Sequence, residues 1–294
     1  MKTQITFLIT FLIMFSTTGC KEIELPDIEI GNLKLKDVQE GINFGSQIYN
    51  AYQDITPEQE YYIGRSVSAT ILDKYKIYNN TKLTQYVNTI GQLLLLNSSQ
   101  PEIFAGYHFS ILDSDEVNAF ATPGGFIFIT RGMIKVCKSE DQLASVLAHE
   151  IAHVQLKHGI KSIKDSRWTS IATKIGTEVA KKHTSEELAQ LSSAFTHSID
   201  DVVNTLVVNG YSRAYENDAD KYAVDILLKT SYSDSAIVSM LQEMDVRLKF
   251  DTRGFGSTHP KASERIDTLH ETHKFHVQPL LFRTKRFKYY LKYV

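Results

Sequence analysis

The feature that most constrains the fold is one apolar segment with clear helix ends. It runs from residue 139 to residue 159 as SEDQLASVLAHEIAHVQLKHG. Ser139 suits an N-cap, and Gln142 three residues later completes a capping box. Apolar residues recur at helical spacing, and Gly159, with His158 in the last turn, is typical of a helix C-terminus. The segment therefore predicts a central helix with one apolar face.

Two histidines and a glutamate lie within this helix, in the run HEIAH. His149 and His153 are four residues apart, which places both rings on one face and within reach of one metal ion. Glu150 points about 100° around the helix, where its carboxylate can reach a water beside that ion. Both rings fall among residues that face inward, and buried imidazoles without partners are costly. The run therefore predicts a zinc site; the alternative is a helix with two surface or capping histidines.

A catalytic zinc ion needs a third protein ligand and an open position. Glu216 is the best candidate, on a helix predicted from about Ser212 to Lys229. Asp220 lies one turn further along the same face, where it can accept the N–H of a ligand histidine and fix its tautomer. Arg213 shares this face, so a salt bridge from Arg213 is an alternative use of either acid.

The remaining pattern predicts an α+β fold that is predominantly helical, with a small β-sheet or hairpin before the HEIAH helix. Helical spacing or start signals occur in five further segments, Thr56–Tyr75, Leu83–Leu96, Ser212–Lys229, Asp234–Leu248 and Lys261–His270. Short β-prone runs occur at Tyr107–Leu112, Val117–Ala121 and Phe126–Ile129. The last two are separated by the turn residues TPGG, which indicates a hairpin.

Three motifs, in this order, resemble metallopeptidase family 48: HEIAH, then YSRAYENDAD, then STHPKASERI. The run NAFATPGGFIFITRGM also resembles the hairpin that precedes the zinc helix in that family. The family belongs to the gluzincins, zinc peptidases whose third ligand is a glutamate. The resemblance covers about Thr56 to Leu269 and implies a zincin-like (gluzincin) metallopeptidase domain.

The resemblance also implies a role for each motif residue. The implied centre holds one Zn²⁺ per subunit, with ligands His149, His153 and Glu216, catalytic base Glu150 and supporting acid Asp220. In the last motif, it implies that His259 contacts the substrate or the developing oxyanion. Arg265 matches a late arginine of the family and is expected to be structural.

The first twenty residues have the features of an export signal. Lys2 precedes an apolar run from Ile5 to Phe15, which is shorter than the roughly 20 apolar residues of a membrane span. The run TTGC resembles the lipobox of bacterial lipoproteins, with Thr17 at a place where an aliphatic residue is usual. We favour lipidation of Cys20 over an ordinary leader. Lys21 after the cysteine favours the periplasmic face of the outer membrane over the inner membrane.

Composition excludes several other classes. A formal charge of -2 gives no basic excess for a nucleic-acid partner. Two cysteines exclude a disulfide framework, and Cys137, in an apolar run, is predicted to be a buried core residue. The predicted regions are a lipoprotein signal peptide at 1–19, a lipidated tether at 20–45, a zinc metallopeptidase domain at 46–275 and a basic, aromatic tail at 276–294. We favour a docked or solvated tail over one that contacts anionic lipid.

These features predict a membrane-anchored zinc-dependent endopeptidase that hydrolyses peptide bonds of envelope proteins in protein quality control. Its partners would be protein or peptide substrates and, through the N-terminal lipid, the membrane. One alternative is a non-catalytic, zinc-stabilised chaperone or binding lipoprotein, which would keep the ligands but would not need Glu150. A second alternative is an enzyme held latent by residues 160–210 lying over its cleft.

Overall fold

A computed structural model describes residues 29–30, 33–34, 55–162, 210–248, 259, 261–275 and 280–294. The predicted leader, the lipidation site Cys20 and most of the 160–210 segment lie outside these residues. Residues 1–53 and 54–294 form two compact units. In the first unit, strands β1 (Glu29–Ile30) and β2 (Leu33–Lys34) pair antiparallel. The predicted domain boundaries at residues 46 and 276 stay predictions.

The second unit is mostly helical. Its helices are α1 (Pro57–Lys74), α2 (Thr81–Leu96), α3 (Arg131–Val136), α4 (Glu140–Gln155), α5 (Arg213–Lys229), α6 (Ala236–Leu248), α7 (Ala262–Thr272) and α8 (Leu281–Leu291). Its strands are β3 (His108–Leu112), β4 (Ala119–Thr122) and β5 (Phe126–Thr130). The prediction of an α+β fold with a small sheet before the HEIAH helix is confirmed.

The three strands form one mixed sheet in the order β3–β5–β4, with β3 parallel and β4 antiparallel to β5. The β4–β5 hairpin turns through Gly124 and Gly125, whose φ angles of 69° and 86° lie in the left-handed region that glycine tolerates. Phe120 and Phe128 pack with α1 on one face, while Ile127 joins the main core on the other. Burial on both faces explains why β4 and β5 are almost continuously apolar.

Helix α4 lies at the centre of this unit, in contact with α2, α5, α6, α8 and the sheet. Every residue from Glu140 to Gln155 is buried, so the helix is covered all round and not only on its apolar face. Buried polar side chains need hydrogen-bond or ionic partners. The acids and histidines of α4 must therefore find partners on neighbouring elements.

Both ends of α4 differ in detail from the sequence prediction. Ser139 caps the helix by accepting from the Gln142 amide at 3.2 Å. The Gln142 side chain, however, accepts from the backbone of Lys138 at 2.6 Å, so the predicted capping box is wrong. The helix ends at Gln155, earlier than predicted, because Lys157 adopts a left-handed φ of 57° that breaks the regular run.

Helix α8 contains much of the predicted tail, and it is docked on α4 and α2. Arg283 and Phe287 are buried, and Arg286 pairs with Glu140 at the start of α4. The docked form of the tail is therefore the one observed for residues 280–294. Among the described residues, none of the helices combines the length and the apolar character that crossing a membrane requires.

Candidate metal centre

Helices α4 and α5 pack side by side and bring the three predicted ligands together. The Nε2 atoms of His149 and His153 are 3.0 Å apart. The Glu216 carboxylate lies between them, with Oε2 at 3.4 Å from His149 Nε2 and Oε1 at 3.4 Å from His153 Nε2. All three side chains are buried. Two helices that are distant in sequence thus meet at one point with two nitrogens and a carboxylate.

His259 joins this cluster from the segment before α7. Its Nδ1 lies 2.7 Å from Glu216 Oε2. One ligand atom from each of His149, His153, Glu216 and His259 lies within 4.8 Å of the others, which is compact enough for one metal ion. The sequence motif placed His259 at the site, and the geometry adds that it reaches the same carboxylate as the other two histidines.

Asp220 and Arg265 lie behind His149. Asp220 Oδ1 is 3.0 Å from His149 Nδ1, the ring atom that faces away from the cluster. Arg265 donates two hydrogen bonds to the same carboxylate, from Nε at 2.8 Å and from Nη2 at 2.5 Å. Arg265 Nη1 also lies 3.4 Å from Glu216 Oε2. Because Asp220 holds Nδ1, the Nε2 atom of His149 is directed at Glu216 and His153.

Two sequence expectations about this region are corrected. Arg213 forms its salt bridge with Glu264 at 3.2 Å and lies at the exposed start of α5, so it does not take either acid of the centre. His158 was expected in the last turn of α4, but it lies beyond the helix end and its ring is buried, with Nδ1 3.0 Å from Nδ1 of His153. Burial lowers the pKa of His158 to about 4, which favours a neutral ring beside His153.

Glu150 is buried next to the cluster, and its Oε1 has no hydrogen-bond partner among the described residues. Burial raises the pKa of Glu150 to about 7. Tyr211 stacks on the His153 ring with centroids 4.3 Å apart, and it donates a weak hydrogen bond to Ala121 O of β4 at 3.4 Å. A small cavity between β4, Glu150, Tyr211 and His259 adjoins this carboxylate.

The electrostatics of the centre attract positive charge. Burial and Arg265 act to lower the pKa of His149, but the carboxylates of Asp220 and Glu216 raise it to about 9. Burial alone would raise the pKa of Glu216, yet His259 and Arg265 hold it well below its usual value. Burial and the charge on His149 hold the pKa of His153 well below its usual range.

The donor set fits a divalent zinc ion. Histidines are neutral when they bind a metal, so in the zinc-bound form the carboxylates of Glu150, Glu216 and Asp220 would face one guanidinium and the divalent ion. Buried Glu216 Oε1 has no hydrogen-bond partner among the described residues. Imidazole and carboxylate ligands suit Zn²⁺, which would balance this charge.

Sequence reasoning missed three contacts in this centre. Arg265 was expected to be structural, but its partners, Asp220 and Glu216, were not foreseen. The stacking of Tyr211 on His153 and the approach of His158 to the same ring were also not foreseen. The only available signal was position, because Tyr211 directly precedes the N-cap of α5 and His158 follows α4 by three residues.

Comparison with known proteins now decides the family. The sequence profile of peptidase family M48 matches residues 81–273, which include both helices of the centre and His259. The chain belongs to peptidase family M48. The resemblance inferred from the three motifs is thus confirmed, and the centre is that of a family M48 domain.

The M48 domain has relatives in bacteria and in mitochondria. It is 24% identical over 196 residues to the beta-barrel assembly-enhancing protease of Escherichia coli, which covers 65% of this chain and 39% of that protein. It is 26% identical over 190 residues to the mitochondrial metalloendopeptidase OMA1 of Schizosaccharomyces pombe, covering 64% and 52%. Metalloprotease YcaL of Escherichia coli is 24% identical over 164 residues, covering 56% and 61%. The chain therefore spans only about two fifths of the first relative's length.

Proposed function

We propose that this chain is a zinc-dependent endopeptidase anchored to a bacterial envelope membrane. The observation that carries the proposal is the convergence of His149, His153 and Glu216 within one buried cluster, with Glu150 beside them. A paired-histidine helix joined by a distant glutamate is the ligand pattern of catalytic zinc sites that use three protein ligands. Membership of family M48 supports the same activity.

In the proposed mechanism, Glu150 is the general base. A zinc ion, when bound, supplies Lewis-acid polarisation of the scissile carbonyl and acidifies a water molecule. Glu150 removes the proton from the attacking water and returns it to the leaving amine nitrogen. Its Oε1 is suited to this task because no described side chain occupies it with a hydrogen bond.

The surrounding residues position the reactants. Asp220 fixes the orientation of the His149 ring through Nδ1, and Arg265 holds Asp220 in place with two hydrogen bonds. His259 is proposed to contact the substrate near the carbonyl oxygen, where a hydrogen-bond donor stabilises developing negative charge. Its location inside the cluster supports that role.

We propose that the substrate binds as an extended strand along β4. Within the described sheet, β4 pairs with β5 on one side only and is an edge strand. Its residues Ala119–Thr122 border the cavity that also contacts Glu150 and His259. A peptide added to this edge would gain main-chain hydrogen bonds and present its backbone to the base.

The proposed substrates are envelope proteins subject to quality control. The proposed lipid on Cys20 would hold the chain at a membrane, with the periplasmic face of the outer membrane favoured. Support comes from the export and lipobox features of residues 1–20 and from the similarity to a protease whose name refers to β-barrel assembly.

The test measures zinc content and cleavage of casein on the same preparations. Wild type should bind one zinc ion per chain and cleave casein. Glu150→Gln should keep the zinc but lose cleavage, and His149→Ala should lose both. Full cleavage by Glu150→Gln would refute the base assignment. Zinc binding in wild type without cleavage of any unfolded substrate would favour the non-catalytic chaperone instead.

A further inference from the structure

Helix α8 has two faces of opposite character. Its inner face is held by buried Phe287 and by two arginines, of which Arg283 bonds Asp141 at 3.1 Å and Arg286 bonds Glu140. At about 100° per residue, its outer face is a stripe about 120° wide. This outer stripe consists of Leu281, Phe282, Lys285, Lys288, Tyr289 and Lys292.

The outer stripe exposes large apolar side chains. Leu281 is 71% exposed, Phe282 55% and Tyr289 51%. Single exposed apolar residues are ordinary, but several on one stripe of one helix mark an interaction surface. Their exposure is not a sign of a loose helix, because the inner arginines and Phe287 hold the same helix against α4.

The charged side chains of α8 itself are all positive. Residues 280–294 contain five basic residues and no acidic residue. Arg283 and Arg286 are used by the inner face, whereas Lys285, Lys288 and Lys292 are exposed. Helix α2, which contacts α8, also contains no acid. Its Lys82 ammonium lies 5.3 Å from the Tyr293 ring and extends the basic surface.

We propose that the outer stripe of α8 binds the surface of an anionic phospholipid bilayer. Leucine and aromatic rings enter the boundary between headgroups and acyl chains, and lysines beside them attract lipid phosphates. A ligand of phosphates alone would leave the apolar side chains without a partner. The inner arginines fix the direction of the stripe, so the whole M48 domain would be held at the membrane in one orientation.

Vesicle flotation tests the charge requirement. Every sample is the full chain carrying Cys20→Ser, so that N-terminal acylation cannot anchor it and all samples share the same N-terminus. Vesicles are either phosphatidylglycerol with phosphatidylethanolamine or phosphatidylcholine alone. Each lysine near an anionic surface is worth about fivefold in affinity, so Lys285→Glu/Lys288→Glu should weaken binding to the anionic vesicles about 25-fold or more. High salt should weaken wild-type binding in the same direction.

A charge-matched control distinguishes an effect of the outer stripe from an effect of the net charge of the protein. Lys74→Glu/Lys76→Glu makes the same charge change at the end of α1, which covers the opposite face of the sheet from α4, and both lysines are exposed. It should retain at least half of the wild-type affinity. Equal loss in the two double variants, or no loss in the α8 variant, would overturn the proposal.

A local probe answers the same question without relying on affinity. In the Cys20→Ser background, Cys137 is buried, so a cysteine introduced by Lys288→Cys can be labelled selectively with an environment-sensitive dye. Its emission should shift to the blue with anionic vesicles, and a dye on Lys74→Cys should not shift. A response to acidic polypeptide but not to vesicles would mean a protein partner and would overturn the proposal.

The outcome is independent of the proposed peptidase function. The outer stripe contains none of the residues of the metal centre, so casein cleavage in solution should be the same in wild type and in both double variants. A failure of lipid binding would leave the peptidase proposal intact, and a failure of cleavage would leave the lipid surface intact.

Discussion

The two ends of helix α4 bury similar acids but treat them differently. At the N-terminal end, Glu140 accepts from the hydroxyl groups of Tyr86 at 2.9 Å and Tyr232 at 3.0 Å and is bound by Arg286. Asp141, the next residue, is bound by Arg283. Two carboxylates meet two guanidinium groups near the positive end of the helix dipole. Charge at this end is balanced by the protein itself.

In the C-terminal half of the helix, the acids lie beside histidines that can serve as metal ligands. A buried carboxylate oxygen without a hydrogen-bond partner does not distinguish the two ends, because in the described part of the chain Asp141 Oδ2 shares this property with Glu150 Oε1 and Glu216 Oε1. Asp220 binds Arg265, the one arginine that the described residues bring to this end. Buried acids alone therefore do not mark a metal site. What marks it is the convergence of metal-ligand atoms from two helices within one buried cluster.

The largest expected effect is on the rate of cleavage, and it comes from replacing glutamate by glutamine at the C-terminal end of α4 but not at the N-terminal end. Glu150→Gln should lower casein cleavage about 10³-fold, because a general base contributes roughly 10²–10⁴ to the rate. Its thermal midpoint should stay at or above that of wild type, since an amide is cheaper to bury than a carboxylate. Cleavage rates and calorimetry on the same sample check both parts.

Glu140→Gln should show the opposite behaviour. It weakens two tyrosine hydrogen bonds and removes the charge partner of Arg286, which should cost about 2–4 kcal/mol of unfolding free energy. The folded fraction should retain its cleavage rate. If urea denaturation showed no loss of stability, the balanced cluster would not be the structural anchor described here.

Metal removal should destabilise the chain by its effect at the C-terminal half of helix α4. Stripping zinc with phenanthroline should lower the stability of wild type by about 3–4 kcal/mol, the linkage expected for an ion present at 100 to 1,000 times its Kd. Added zinc should restore the thermal midpoint. Glu216→Gln should melt at the same temperature with and without phenanthroline, and a shift in that variant would argue against Glu216 as a ligand.

Asp220→Asn tests the support behind His149. Loss of a carboxylate that orients a ligand histidine typically weakens zinc affinity 10–100-fold. Competition with a chromophoric chelator measures this directly. Asp218→Asn is the matched control, because Asp218 lies on the same helix but is exposed, and its zinc affinity should equal that of wild type.

The smallest expected effect lies at the cap of α4. Ser139→Ala removes the acceptor for the Gln142 amide and should cost about 1 kcal/mol. Ser66→Ala, at an exposed position on α1, should change stability by only a few tenths of that. Zinc content should be unchanged in both variants, as the cap and the metal centre lie at opposite ends of α4.

Much of the fold could be predicted because it follows local rules. The α1 start is an example, since Thr56 and Gln59 form the reciprocal capping box that their spacing suggests. The two ends of α4 were predicted less accurately. The Gln142 side chain accepts a hydrogen bond from the backbone N–H of Lys138, and the left-handed backbone of Lys157 ends the helix early. Both choices depend on small energy differences between neighbouring backbone groups, which spacing does not reveal.

The candidate site was predictable in its members but not in its connections. The four-residue spacing put His149 and His153 on one face, and the later motifs supplied Glu216, Asp220 and His259. The pairing of Arg265 with Asp220, and the separate use of Arg213 on the surface, were not predictable. Several cations lie within reach of those acids, and only packing decides which one is buried beside them.

By itself, the sequence determined six of the described helices (α1, α2 and α4 to α7), the hairpin, the family and which residues have zinc-ligand chemistry, because periodicity, caps and motif spacing act over a few residues. Only the tertiary structure decided that α4 is buried on every side, that Arg283 and Arg286 bind the acids at one of its ends, and that histidines and Arg265 surround the acids at the other. Charge balance in this buried region is set by contacts between residues that are 45 to 146 positions apart in the sequence. Those contacts exist only once the chain has folded.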